Sequence, residues 1–205
     1  MNVPLKLFGS ITKKQIVFSL NLKIEKFNSK SLDFFNNNKD INLKDLFEKK
    51  NKNLFIDVFS LYNKQINYLT YKEDSWYNVK VPFYDYFLES LLIFDISNIS
   101  QKFSEKVGEI DYMEHIVDDA YYCLSQENLS LLGNRMITYW KTVRDQYPYT
   151  TNIKIDKIYS DLLLNGCLGI SVNDDFLITL NEKNNKEKII NIMNQNKLHS
   201  IEWSI

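Results

Sequence analysis

The stretch Leu168-Gly169-Ile170-Ser171-Val172-Asn173-Asp174-Asp175-Phe176-Leu177-Ile178-Thr179-Leu180 decides the fold class. Leu168, Ile170 and Val172 alternate with small residues, and Phe176, Ile178 and Leu180 alternate again after the Asn173-Asp174-Asp175 turn cluster. Period-two alternation on both sides of a turn signal reads as a β-hairpin. A helix face follows at Ile189, Ile190, Ile192 and Met193, then a last strand with His199, Ile201 and Trp203 on its inner side. Upstream lie three helical stripes: Met113, Ile116, Ala120 and Leu124; Leu129, Leu132, Met136, Tyr139, Trp140 and Val143; and Ile155, Ile158, Tyr159, Leu162 and Leu163. Gly166 stands where the third of these needs a C-terminal cap.

Further upstream, Gln15–Ile24 alternates cleanly through Ile16, Phe18, Leu20, Leu22 and Ile24, a half-buried strand. A short strand is expected before it at Pro4–Phe8, and a third at Ser31–Phe35. From Asn42 a helical period begins with Leu43, Leu46 and Phe47, and resumes through Leu54, Val58 and Leu61. Tyr77, Val79, Val81 and Phe83 alternate, with Pro82 marking a sheet edge or a strand end. Leu91–Phe94 is an unbroken apolar run, expected as a strand buried on both faces. The whole predicts an α+β fold: a mainly antiparallel sheet with helices on one face and a ferredoxin-like C-terminal part. Residues 1–88 form an N-terminal α+β part and 89–205 a helical plus ferredoxin-like part, packed as one compact unit.

Of the 205 residues, 44% are hydrophobic and 25% charged, which excludes intrinsic disorder. The longest apolar run is too short to span a bilayer. A net charge of −1 leaves no basic excess for a phosphate backbone, so neither nucleic acid nor membrane is an expected partner. Asn, Lys and Ile make up a third of the chain, so runs of these residues carry little information and the rare Arg, Gly, Pro and His carry more. Cys123 and Cys167 are far apart inside apolar patterns and read as buried, reduced thiols. With no basic then apolar leader after Met1, the expected compartment is the cytoplasm.

Chemistry-bearing motifs are sparse. Neither G-x-x-x-x-G-K-[ST] nor G-x-G-x-x-G occurs, and five glycines leave little material for a phosphate cradle. Gly166 and Gly169 read as a helix cap and a tight packing point. His115 with Asp118 or Asp119 has one-turn spacing for a metal, but an acidic helical turn is more simply a solvated face. His199 reads as a core histidine. Neither Cys has a neighbouring base, and no G-x-S-x-G elbow occurs. Arg144 reads as a cation at a helix C-terminus or as an anion contact. No catalytic, cofactor-binding or metal-ligating residue is assigned. Tyrosine, enriched at recognition interfaces, clusters between residues 62 and 86. The candidate partner surface is therefore Tyr62, Tyr68, Tyr71 and Tyr84, together with the acidic turn Asn173, Asp174 and Asp175.

The order of features resembles the small-molecule kinases of the GHMP superfamily, nearest its sugar (heptose) kinases. Leu91-Leu92-Ile93-Phe94-Asp95 is similar to the buried strand opening that family's C-terminal half. Leu131-Leu132-Gly133-Asn134 through Tyr139-Trp140-Lys141 is similar to its leucine-glycine to tryptophan helix, and Asn165-Gly166-Cys167-Leu168-Gly169 to its N-G-A-x-G passage. Phe176–Leu180 with the following helix is similar to its closing ferredoxin-like hairpin. Val3–Gly9 and Gln15–Ile24 resemble its first two strands.

The family's phosphate loop, P-x-x-x-G-L-G-S-S, and its G-A-G-G-G segment have no counterpart here. The resemblance therefore implies a shortened, degenerate form lacking the middle that would hold nucleotide and catalytic aspartate, and no cofactor. The leading expectation is a non-catalytic, kinase-derived protein that holds another protein or a small sugar. The alternatives are an immunity or antitoxin-type protein that blocks a toxin enzyme, and an atypical sugar kinase.

Overall fold

The structure, a computed structural model, describes residues 1–8, 14–24, 56, 59–61, 66–73, 75–81, 85–100, 113–173 and 175–204. Strands β1 (Asn2–Lys6), β2 (Lys14–Leu22), β3 (Asn67–Lys72) and β4 (Ser75–Lys80) form an antiparallel sheet in that order. Strand β8 (Trp203–Ser204) joins it on β2, pairing Leu22 with Trp203. Strands β5 (Leu91–Asp95), β6 (Cys167–Asn173) and β7 (Phe176–Asn181) form a second antiparallel sheet in the order β5-β7-β6. From residue 85 on, the described α-helices are α1 (Asp85–Ser90), α2 (Glu114–Ser125), α3 (Leu129–Gln146), α4 (Ile153–Leu164) and α5 (Lys186–Gln195). The α+β architecture expected from the sequence is the one observed.

The three helical stripes become α2, α3 and α4. Asn128 caps α3, its Oδ1 accepting from Leu131 N, and Asn152 caps α4 by accepting from Lys154 N and Ile155 N. Gly166 follows α4 with φ +90°, the left-handed conformation that favours glycine at a helix end. Helix α3 lies against β6, and two glycines set the spacing. A Cβ on Gly133 would sit 2.1 Å from the carbonyl oxygen of Leu168, and one on Gly169 would sit 2.6 Å from Gly133 Cα. Phe18 packs edge-on against Phe87 of α1 at 6.2 Å, and Phe8 meets Tyr139 of α3 at 5.1 Å. One contiguous core thus runs from Val3 to Leu198.

The C-terminal segment straps the two sheets together. Ser200 bridges Phe94, Ile201 N donates to Ile93 O, and the chain then reaches β2. β5 is a border strand of its sheet whose outer side this strap partly covers.

Several expectations change. All six residues of β7 are buried, not every second one, because β7 is the central strand of its sheet. β3 and α1 were not expected. β3 is buried or half-buried at five consecutive positions, which hides its alternation. His199 is exposed, its Nδ1 3.0 Å from Asn194 Oδ1, so it is not a core histidine. Trp203 is half-buried against the core, whereas Trp140 is 5% exposed within it. The strand expected at Ser31–Phe35 and the helix expected from Asn42 lie outside the described residues.

Two stability tests follow. Helix propensity alone makes Gly→Ala favourable by about 1 kcal/mol. At Gly133 the sign should reverse, with Gly133→Ala costing about 2–3 kcal/mol in denaturant unfolding through overpacking. Trp140→Ala should cost about 3–5 kcal/mol and Trp203→Ala clearly less, in the same measurement.

Candidate functional site

Of the tyrosines proposed as a surface, Tyr62 and Tyr84 lie outside the described residues. Tyr68 faces Ile16 across β2–β3 and Val79 across β3–β4. Its ring lies 4.8 Å from that of Tyr121 on α2, and its hydroxyl donates to Asp118 Oδ1. Lys14 Nζ reaches the other oxygen of Asp118 at 2.5 Å and stands 4.0 Å from Glu114 Oε2. Tyr68 is thus half-buried and knits the first sheet to α2. Burial first, and then the bond to the Asp118 carboxylate, push its phenol well above the usual tyrosine range. It stays a neutral donor, unsuited to act as a base or nucleophile. Tyr71 sits three residues on, so it points to the opposite face of β3. The structure does not bring Tyr68 and Tyr71 onto one surface.

The acidic turn belongs to the other sheet. Asn173 pairs with Phe176 to close the hairpin. Asp175 O accepts from Ile96 N at 2.8 Å, and Asp175 Oδ1 accepts from Ser100 Oγ at 3.3 Å. Asp175 is half-buried and anchored, and Asp174 lies outside the described residues.

The remaining chemistry-bearing residues are engaged locally. Asp119 pairs with Arg135 at 3.2 Å, while His115 is exposed. Arg144 lies 3.8 Å from Asp156 and 3.7 Å from Asp145, a helix-end cation between carboxylates. No group of three or more metal-ligating side chains occurs among the described residues. Both cysteines are buried and free. Burial raises the Cys123 thiol and pushes Cys167 up to about 12, against weaker hydrogen bonds to the carbonyls of Gly169 and Leu180.

Sequence reasoning missed a cleft of about 580 Å³ beside the C-terminal strap. Ile24 and Ile201 give it apolar surface, and Lys23, Asp95, Lys197 and Glu202 are its charged lining residues. Lys23 Nζ meets Glu202 Oε2 at 2.6 Å, an exposed ion pair of modest worth. The hydrogen bond and charge of Lys23 hold the Glu202 carboxyl below its usual range. No local motif could have announced this cleft, because it joins the end of β2, the end of β5 and the strap.

No family model and no curated protein matches the sequence. Solved structures match it in fold. A D-glycero-D-manno-heptose 1-phosphate kinase from Bacteriodes thetaiotaomicron superposes with a TM-score of 0.63 at 10% identity, covering 99% of this chain and 94% of that one. Mevalonate diphosphate decarboxylase from Staphylococcus aureus superposes with a TM-score of 0.57 at 10% identity, covering 99% and 94%. The fold is therefore GHMP-like, as the resemblance implied. A kinase and a decarboxylase share it, so the fold does not choose the reaction.

Replacing Tyr68 by Phe should cost about 1 kcal/mol, the net worth of one hydrogen bond, read by chemical denaturation. A cost near zero would detach Tyr68 from the sheet–helix seam. Neither thiol should react with Ellman's reagent at pH 8 until the chain unfolds. The Cys167 shift is upward, so its contribution to stability is complete below pH 9.0 and is lost as the pH rises towards about 12.

Proposed function

We propose that this chain is a binding protein built on a GHMP-like fold, one that holds another protein or a small ligand without transferring a phosphoryl group. The observation that carries this reading is the β6–β7 hairpin. Where the family it resembles has a glycine-rich segment, this chain closes at the pair Asn173–Phe176 through two acidic residues. Asp175 spends its carbonyl on Ile96 and its carboxylate on Ser100. The turn sequence Asn173-Asp174-Asp175 has no glycine, and its two carboxylates repel an anionic phosphate. Catalysis of phosphoryl transfer rests almost entirely on positioning and neutralising those phosphates.

Where what it holds is a protein, a toxin enzyme blocked by an immunity-type protein is one such case. The compartment is the cytoplasm. Among the described residues no helix is long and apolar enough to cross a membrane. An atypical sugar kinase is the second reading, supported by the polar rim of the strap cleft and by the heptose kinase among the structures sharing the fold.

Calorimetry with ATP and magnesium separates the two. The binding-protein reading expects no saturation tighter than a Kd of about 1 mM, or roughly −4 kcal/mol. A Kd of about 1 μM, or sugar-dependent ADP release, would overturn it. Pull-down from the native organism then identifies the partner, and an immunity-type role predicts stoichiometric loss of the captured enzyme's activity.

A further inference from the structure

We propose that the cleft beside the C-terminal strap binds a small organic anion with an apolar face; this rests on the reading of the chain as a ligand-holding protein. A volume of about 580 Å³ suits a small molecule. The apolar lining of the cleft comes from Ile24 and Ile201, both half-buried. The charges at the rim are not equivalent. Glu202 is matched by Lys23 at 2.6 Å. Asp95 commits Oδ1 to Ser97 N at 2.9 Å. Lys197 forms no ion pair among the described residues and is the cation left for a ligand.

The position of Lys197 is fixed by the end of α5. Its φ is +61°, its N–H donates to Asn194 O, and Leu198 N donates to Met193 O. Glycine or asparagine is the usual residue at such a helix end. A lysine there carries backbone strain, and Lys197 is one of the residues that line the cleft. Near the helix end, the carbonyls of Ile192, Met193 and Asn194 accept from the amides of Asn196, Lys197 and Leu198 and from the Asn196 side chain. An anion at Lys197 would lay its apolar part over Ile24 and Ile201, and the hydroxyls of Ser97 and Ser200, which also line the cleft, are further donors.

The test is a two-dimensional amide NMR titration of the full chain with sodium hexanoate and, separately, inorganic phosphate at constant ionic strength. Saturable shifts are expected at Ser97, Asn98 and residues 197–200, with hexanoate half-saturating at a concentration lower by about tenfold. Lys197→Gly should melt no lower than the parent, because glycine suits the left-handed position, yet weaken hexanoate by about tenfold or more. Equal affinity for the two anions, unsaturable shifts scattered over surface lysines, or unchanged binding by Lys197→Gly would each overturn the proposal. Its failure is distinguishable from failure of the functional reading. ATP turnover would sink that reading without moving these shifts, and loss of the shifts without turnover would sink the cleft alone.

Discussion

The contact of Gly133 with Gly169 is the constraint on which the C-terminal half depends. Two backbones meet with no side chain between them, so α3 rides directly on β6. That distance fixes the rest of the interface. Met136 Sδ stands 3.0 Å from where a Cβ of Gly169 would be, and one turn later Tyr139 reaches Phe8, just past β1. The register of β6 against β7 shifts between Cys167 and Gly169, at the point of closest approach. A bulge there lets one strand meet both a helix and its neighbouring strand without losing its ladder.

The second organising device is the strap. Two antiparallel sheets need a reason to stay at one relative position, and a short run of backbone hydrogen bonds supplies it. Residues 198–204 leave α5, touch β5 at Phe94 and Ile93, and finish on β2. β2 therefore carries β3 at its beginning and β8 at its end, and the cleft opens beyond that end. The site is a product of tertiary connection and not of any one element.

This explains what the sequence disclosed and what it did not. The stripes of α2, α3 and α4 were legible because each helix buries one face, as Leu132, Met136, Tyr139, Trp140 and Val143 do on α3. β2 was legible by alternation although residues 16–20 are all buried, because polar or small residues still separate its large ones. β3 was not, since Asn67 is fully buried while Tyr68 and Tyr71 are half-covered, a pattern that reads as a tyrosine-rich surface. Gly133 and Gly169 were visible as motif residues, but their mutual contact needed three dimensions. The cleft was illegible for a different reason. Its residues come from three distant segments, and Lys197 sits in a chain so rich in lysine that one more carries no signal.

The strap has a kinetic meaning as well. Lys23 and Glu202 pair across 179 residues of sequence. Contacts of such separation form late, because the entropy of closing the intervening chain must be overcome before they contribute. The first sheet thus waits for Trp203 and Ser204 to complete its β2 border. Until β8 docks, that border exposes unpaired strand edge, a template for association with other chains. A chain cut before residue 197 lacks the whole wall of the cleft that residues 197–202 supply.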